Sequence, residues 1–281
     1  MTSHLNEREC EIDDKNFAKI AAILDRKRGF RLTDYKNVSM KRRVAIRMRV
    51  TNCRDVSEYC KILLRKSEEP DLLLSALTIH VSHFFRNPSL FDALRDRIFP
   101  EIFTKALLRP DASLRIWCMG CAEGEEPYSL AILLKEYFAS ELAHIKVVIR
   151  GTDIDAGILS RARLGEYGAK RLKEIPPLFL KRYFKQQGKS FQLIPEIMEM
   201  VTFNRDSITR FSQYESSDLI MCRNTLIYFT RPEQERIQEG IADILPLGGV
   251  LVLGKSETLT NKARGRFTSI CPVERIYRRI A

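Results

Sequence analysis

The sequence predicts an α/β protein. Helices cover both faces of a mostly parallel sheet, a small helical domain precedes it, and a small antiparallel β insertion interrupts it. Three observations carry this. Residues 115–129 pass from an apolar, strand-like run through a glycine-bearing loop into the helical run Leu130-Ala131-Ile132-Leu133-Leu134. That succession opens a nucleotide-binding α/β sheet. After Phe84, strand and helix patterns alternate, as parallel strands with crossover helices require. Up to about residue 75 there is no strand pattern, and apolar residues recur at helical spacing.

Taken in order, Phe17, Ile20, Ala21 and Leu24 mark one face of a first helix, and Gly29 with Thr33-Asp34 breaks it. From 36 to 54 seven cations (Lys36, Lys41, Arg42, Arg43, Arg47, Arg49, Arg54) occur without one Asp or Glu. Val44, Ile46, Met48 and Val50 are interleaved, and no Pro or Gly interrupts, so this reads as a helix with a cationic polar face. Residues 56–66 form a short helix that stops before Pro70, and 72–79 is an apolar connection. The predicted boundary falls there, giving domains at 1–78 and 79–281. In the second, strands are expected at 114–118, 146–151, 219–222, 250–253 and 275–280. Helices are expected at 129–142, 155–163 and 232–244, the last with Pro232 in its first turn. Residues 178–203 interrupt the alternation. Two short strand patterns, 191–194 and 200–203, and a Gln187-Gly188-Lys189 turn predict the antiparallel insertion there.

At 281 residues, 44% apolar and 30% charged, the chain has enough material for a sizeable core. No apolar run reaches the roughly 18 residues of a membrane span. The start, Met1-Thr2-Ser3-His4-Leu5-Asn6-Glu7, has no secretory character. Seven cysteines without regular spacing argue against a disulfide framework and for a reducing cytoplasm. The net charge of +11 calls for an acidic partner, and the 36–54 helix is its expected docking surface.

The motifs narrow the chemistry. Glu123, Glu125 and Glu126 around Gly124 would repel a pyrophosphate, so the loop suits a neutral or cationic ligand such as a sulfonium nucleoside. Asp153 ends the second strand about 30 residues later, where a carboxylate can accept from both hydroxyls of a ribose. Asp155 is the better cap for the following helix. Asn224 and Tyr228, in Cys222-Arg223-Asn224-Thr225-Leu226-Ile227-Tyr228-Phe229, follow the fourth strand at the ligand-bearing edge. Phe229 reads as core. Arg86, after Phe84-Phe85, suits a carboxylate clamp. Cys118 and Cys121 form a Cys-x-x-Cys, but the adjacent glutamates would raise a thiolate pKa rather than lower it. The four histidines show no paired spacing, so no metal site is expected.

In order and spacing across nearly the whole chain, this set resembles the CheR-type chemotaxis receptor methyltransferases. The resemblance rests on the basic helical N-terminal part, Phe84-Phe85-Arg86, Gly124-Glu125-Glu126-Pro127-Tyr128-Ser129, Thr152-Asp153-Ile154-Asp155, the 222–229 motif and Gly254-Lys255-Ser256-Glu257. It implies a Rossmann-like sheet binding S-adenosylmethionine, with S-adenosylhomocysteine as product. The methyl acceptor is a glutamate on the cytoplasmic helices of chemotaxis receptors. By position, His80, Ser82, Arg86, Glu126, Asp153, Ser207, Ile208, Asn224 and Thr225 line the cofactor, and Arg86 and Tyr228 border methyl transfer. Lys41, Arg42, Arg43, Arg47 and Arg49 face the receptor.

His80 stands where the family often has Asn, Ser82 replaces a Thr, and Ala122-Glu123 replaces a small polar pair. The resemblance implies a cytoplasmic monomer that neither inserts into membrane nor acts on nucleic acid. A nucleic-acid methyltransferase would typically follow its fourth strand with Pro-Pro and an aromatic, whereas this chain has Thr225-Leu226-Ile227 after Asn224. A non-catalytic binding module is the other alternative, and Arg86, Asp153 and Tyr228 argue against it. The short turn after Tyr183-Phe184 predicts a receptor found without a tethered C-terminal pentapeptide.

Overall fold

The computed structural model describes residues 12–211 and 216–281, so the N-terminal stretch Met1 to Glu7 lies outside it. The chain divides into two compact units. One runs to Ile79 and gains Tyr228–Thr230; the other holds His80–Ile227 and Arg231–Ala281.

The first unit is helical. Helix α1 (Asp14–Arg28) is capped by Asp13, whose side chain accepts from the Asn16 N–H, and ends at Gly29 with φ 65°. It buries Phe17, Ile20, Ala21 and Leu24, as their spacing requires. Helix α2 (Asn37–Val50) buries Met40, Val44, Ala45 and Met48, and α3 (Val56–Arg65) buries Tyr59 and Leu63. The expected connection at 72–79 is instead mostly helix α4 (Glu69–Leu77). Pro70 sits in its first turn, where the missing N–H costs nothing. Tyr228–Thr230 joins this unit, running from the end of a 3-10 turn into an isolated bridge at Phe229. Tyr35 bridges Phe229, the Lys36 N–H donates to the Tyr228 carbonyl, and the Thr230 N–H donates to that of Asp34.

The α2 cations have counter-charges that a local count misses. Glu69 is buried and accepts from Arg47 Nε at 2.8 Å, Arg47 Nη2 at 2.7 Å and the Tyr59 hydroxyl at 2.9 Å. Arg43 donates to the carbonyls of Ala76, Leu77 and Thr78 and so caps the end of α4. Lys41 pairs with Asp14 at 2.8 Å. Arg42 and Arg49 remain exposed.

The second unit begins with α5 (Pro88–Ala93), a π-helical turn (Leu94–Ile98) and α6 (Phe99–Leu107). There follow β1 (Ser113–Met119), α7 (Glu125–Tyr137), α8 (Ala139–Leu142), β2 (Lys146–Asp153), α9 (Ala156–Leu164) and β3 (Glu166–Gly168). Next come α10 (Pro177–Tyr183), β4 (Phe184–Gln187), β5 (Ser190–Leu193), α11 (Pro195–Met198) and β6 (Val201–Arg205). The chain finishes with β7 (Leu219–Cys222), α12 (Arg231–Ile244), β8 (Val250–Leu253), α13 (Asn261–Arg264), β9 (Phe267–Cys271) and β10 (Ile276–Arg279). Seven strands form one sheet in the order β6-β2-β1-β7-β8-β10-β9. The first five are parallel, and β10 runs antiparallel to both of its neighbours, β8 and β9. The mostly parallel sheet expected from sequence is therefore present. Among the described residues no helix is long and apolar enough to cross a membrane.

Three expectations are corrected. Residues 200–203 do not belong to the insertion: β6 pairs in parallel with β2, Phe203 opposite Gly151. Its alternation of buried Val201 and Phe203 with exposed Thr202 and Asn204 is that of a half-covered edge strand. The three-stranded insertion is built from β3, β5 and β4 in that order, so it starts earlier, at Glu166. The expected helix at 129–142 starts at Glu125 and breaks at Phe138.

Candidate active site

The C-terminal ends of β1, β2, β7 and β8 share one edge of the sheet, and the loops leaving them carry most of the motifs. After β1, Gly120 and Gly124 take φ of 66° and 86°. A Cβ on Gly120 would lie 2.7 Å from Thr225 Oγ1, so the close approach of the two loops demands glycine there. The loop is tied to β2: the Cys121 N–H donates to the Thr152 carbonyl, and the Ala122 N–H donates to Asp153 Oδ2 at 3.1 Å. Asp153 Oδ1 accepts from the Asp155 N–H at 3.1 Å. Asp155 caps α9 by accepting from Gly157 and Ile158. Asp153 is only 7% exposed. Each of its oxygens has one N–H donor and retains a second lone pair for a ligand hydroxyl.

His80 Nε2 lies 3.7 Å from Asp153 Oδ1 and 3.9 Å from Asp155 Oδ2. His80 Nε2 and Asp155 Oδ2 are both buried without a hydrogen-bond partner. The Asp206 N–H donates to the Asp153 carbonyl, which brings Ser207 and the buried Ile208 to the same end of β2. The Ser207 hydroxyl pairs with that of Thr209 at 2.8 Å.

Arg86 is placed by its neighbours. Phe84 packs edge-on against Tyr167 and Phe184, and Phe85 packs at a tilt against Phe91 and Phe179. The Phe85 N–H donates to Ser129 Oγ, which itself donates to the Glu125 carbonyl. Buried Arg223, which sequence reasoning missed, donates to Glu126 Oε2 at 2.8 Å, to the Arg86 carbonyl at 2.9 Å and to Asn87 Oδ1 at 2.7 Å. Glu126, expected to meet the cofactor, therefore also fixes Arg223. The Arg86 guanidinium donates to the Val81 carbonyl and is half-buried.

Glu257 was also missed as a site residue, although its motif stood out. Glu257 is 4% exposed, and its carboxylate accepts five backbone N–H groups, from Gly254, Asn224, Thr225 and Leu226 at 2.7–2.8 Å and from Ile227 at 3.4 Å. Asn224 is held at φ 56°. Burial pushes the Glu257 carboxyl up, while the backbone donors favour its ionised form. A Cβ on Gly254 would lie 2.7 Å from Glu257 Oε2, which explains glycine at that position. Tyr228 ends the 3-10 turn Leu226–Tyr228 that leaves this loop.

Cys118 and Cys121 are buried, and desolvation first, then nearby carboxylates, push both thiols well up. Neither is poised as a thiolate.

Glu125, fully buried, is pushed up to about 7 by burial, which outweighs the opposing pull of Arg171. A carboxyl raised in the folded state keeps its proton after the unfolded chain has lost it. Stability should therefore fall as pH rises from the ordinary value of 4.5 to about 7, then level off. Glu125→Gln should remove that slope. Urea unfolding of both proteins across this range checks it, and identical slopes would contradict it.

Comparison with known proteins agrees with this arrangement. The family described as CheR methyltransferase, SAM binding domain, matches residues 80–273, and the CheR methyltransferase all-alpha domain matches 15–78. A chemotaxis protein methyltransferase of Listeria innocua is 32% identical over 250 residues, covering 89% of this chain and 92% of the relative. Chemotaxis protein methyltransferase 2 of Vibrio cholerae is 31% identical over 273 residues, covering 95% and 92%. The protein of the same name from Pseudomonas aeruginosa is 32% identical, covering 88% of each chain. S-adenosylmethionine is the cofactor of this family, and the residues fit it. Asp153 can take a ribose diol, the glycine loop leaves room for close backbone approach, and the unpartnered polar atoms of His80 and Asp155 lie beside them. With both family models matched in order along nearly the whole described chain, the chain belongs to the CheR methyltransferase family.

Proposed function

We propose that this chain transfers a methyl group from S-adenosylmethionine to glutamate side chains of chemotaxis receptors, forming methyl esters. The observation that carries the reading is the locking of Arg86. Arg223 and the Phe84-Phe85 anchors fix its backbone, while its guanidinium stays accessible to a carboxylate acceptor.

Bound against the 120–124 loop, the cofactor supplies a methyl group on a sulfonium, already a good leaving group. The acceptor glutamate, with a pKa of about 4.3, is ionised at neutral pH and needs no general base. The protein's task is to orient the carboxylate and exclude water, which can supply most of the acceleration. Arg86 orients it through a forked pair of hydrogen bonds, and Tyr228 shares the load as a weaker donor. Asp153, Glu126, His80, Ser82, Ser207, Ile208, Asn224 and Thr225 hold the cofactor. Tyr228→Phe should lower turnover about threefold to tenfold, the loss of one hydrogen bond, with S-adenosylhomocysteine affinity nearly unchanged. Weakened affinity with unchanged turnover would move Tyr228 to the pocket wall.

Receptor docking is assigned to the exposed stripe of α2: Val38, Arg42, Ile46, Arg49 and Val50. An acidic amphipathic helix matches its mixed cationic and apolar character. Of the cations expected there, Arg43, Arg47 and Lys41 serve the helical unit itself. Arg42→Glu with Arg49→Glu should raise the KM for receptor about tenfold, and wild-type activity should fall with salt. Arg47→Glu should instead unfold the unit by facing Glu69 with a second carboxylate. A salt-independent KM, unchanged in the double variant, would refute the docking role. The insertion closes β4 to β5 with a two-residue turn, Gln187 opposite Ser190, which supports docking without a tethered pentapeptide.

A further inference from the structure

The segment from His80 to Arg86 carries three of the proposed site residues and, from 80 to 83, has no regular secondary structure of its own. One residue of the insertion holds it. Arg171 lies in the single 3-10 turn Ala169–Arg171 that follows β3. Its Nη1 donates to the Ser82 carbonyl at 2.8 Å and to the His80 carbonyl at 3.2 Å. Its own carbonyl accepts the Phe84 N–H at 2.9 Å. Residues 80, 82 and 84 are alternate positions, so Arg171 stands in for the neighbouring strand that an extended segment otherwise lacks.

The guanidinium is fixed in turn by carboxylates of the cofactor loop. Nη1 meets Glu125 Oε1 at 2.7 Å, and Nη2 lies 3.4 Å from Glu123 Oε2. Glu125 is fully buried and opens α7, so the anchor is rigid. We propose that Arg171 is a positioning residue for the methyltransferase site: it sets the 80–86 segment against the 120–125 loop and thereby orders His80, Ser82 and Arg86 for cofactor and acceptor. A lysine keeps the charge but not the fork that reaches two carbonyls and two carboxylates together. The inference rests on the family's cofactor and not on the glutamate reading, so binding alone can test it.

The test uses the full chain as Arg171→Lys, Arg171→Gln and the double variant Arg171→Gln/Glu125→Gln, which removes the buried carboxyl that the single change leaves without its partner. Calorimetry with S-adenosylhomocysteine gives affinity and the number of competent sites. Amide exchange of the ligand-free protein reports on 79–86. Arg171→Gln should weaken affinity about tenfold at unchanged stoichiometry and speed exchange in 79–86, with Arg171→Lys intermediate. The double variant should regain thermal stability without regaining affinity, an outcome that a merely structural role would not give. Affinity of Arg171→Gln within about twofold of wild type would overturn the proposal. So would full recovery in the double variant, which would trace the defect to the unpartnered buried carboxyl of Glu125. If Arg171→Gln does not fold, wild-type affinity in both other variants overturns it.

Discussion

Glu257→Ala should lower the unfolding free energy by about 4 kcal/mol, since each buried donor left without an acceptor costs about 1–3 kcal/mol and entering water offsets part of the loss. Five N–H groups would lose the carboxylate at once, and four of them belong to Asn224, Thr225, Leu226 and, more distantly, Ile227. Cofactor affinity should fall with stability, because the loop's conformation, with Asn224 at φ 56°, depends on this single acceptor. Glu257→Gln retains one acceptor oxygen but turns an amide NH2 toward two of the donors, so it should be damaging but less so. Urea unfolding with calorimetry of S-adenosylhomocysteine binding checks both. A loss below about 1 kcal/mol for Glu257→Ala, the value of one ordinary hydrogen bond, would mean that the loop holds its shape unaided.

Asp153→Ala should have the largest effect on cofactor binding. Losing a hydrogen bond to a charged group costs about 1.5–3 kcal/mol, at least tenfold in affinity. Asp153 also accepts from the N–H groups of Ala122 and Asp155, so the alanine variant loosens the glycine loop as well as losing the ribose acceptor. Asp153→Asn keeps one acceptor oxygen and should fall between. Calorimetry of the folded variants decides: unchanged affinity in Asp153→Ala would end the ribose assignment.

The central strands were legible in the sequence because the runs at 219–222 and 250–253 are apolar throughout, and 114–118 is apolar but for the half-buried Arg115, as strands covered on both faces require. The glycine loop after β1 and the position of Asp153 at the end of β2 were legible because chain order, rather than any local propensity, defines them. What escaped was long-range. The counter-charge for Arg47 is Glu69 on another helix, and that for Lys41 is Asp14, so counting acids between 36 and 54 could not find them. β6 was assigned to the insertion because an edge strand of a parallel sheet alternates like an antiparallel one. Arg223 and Glu257 lay inside recognised motifs but read as polar loop residues, since burial is not written in a single sequence. Arg171, between Lys170 and Lys173, carried no signal at all.

The central claim is that the transferred methyl ends as a carboxylic ester on a receptor. Incubation with tritiated S-adenosylmethionine and receptor-bearing membranes, followed by alkali, tests it most directly. A methyl ester hydrolyses and yields label as volatile methanol, so the account predicts that label enters the receptor band and leaves it as methanol. Label that survives alkali, or that enters nucleic acid in place of receptor, would contradict it.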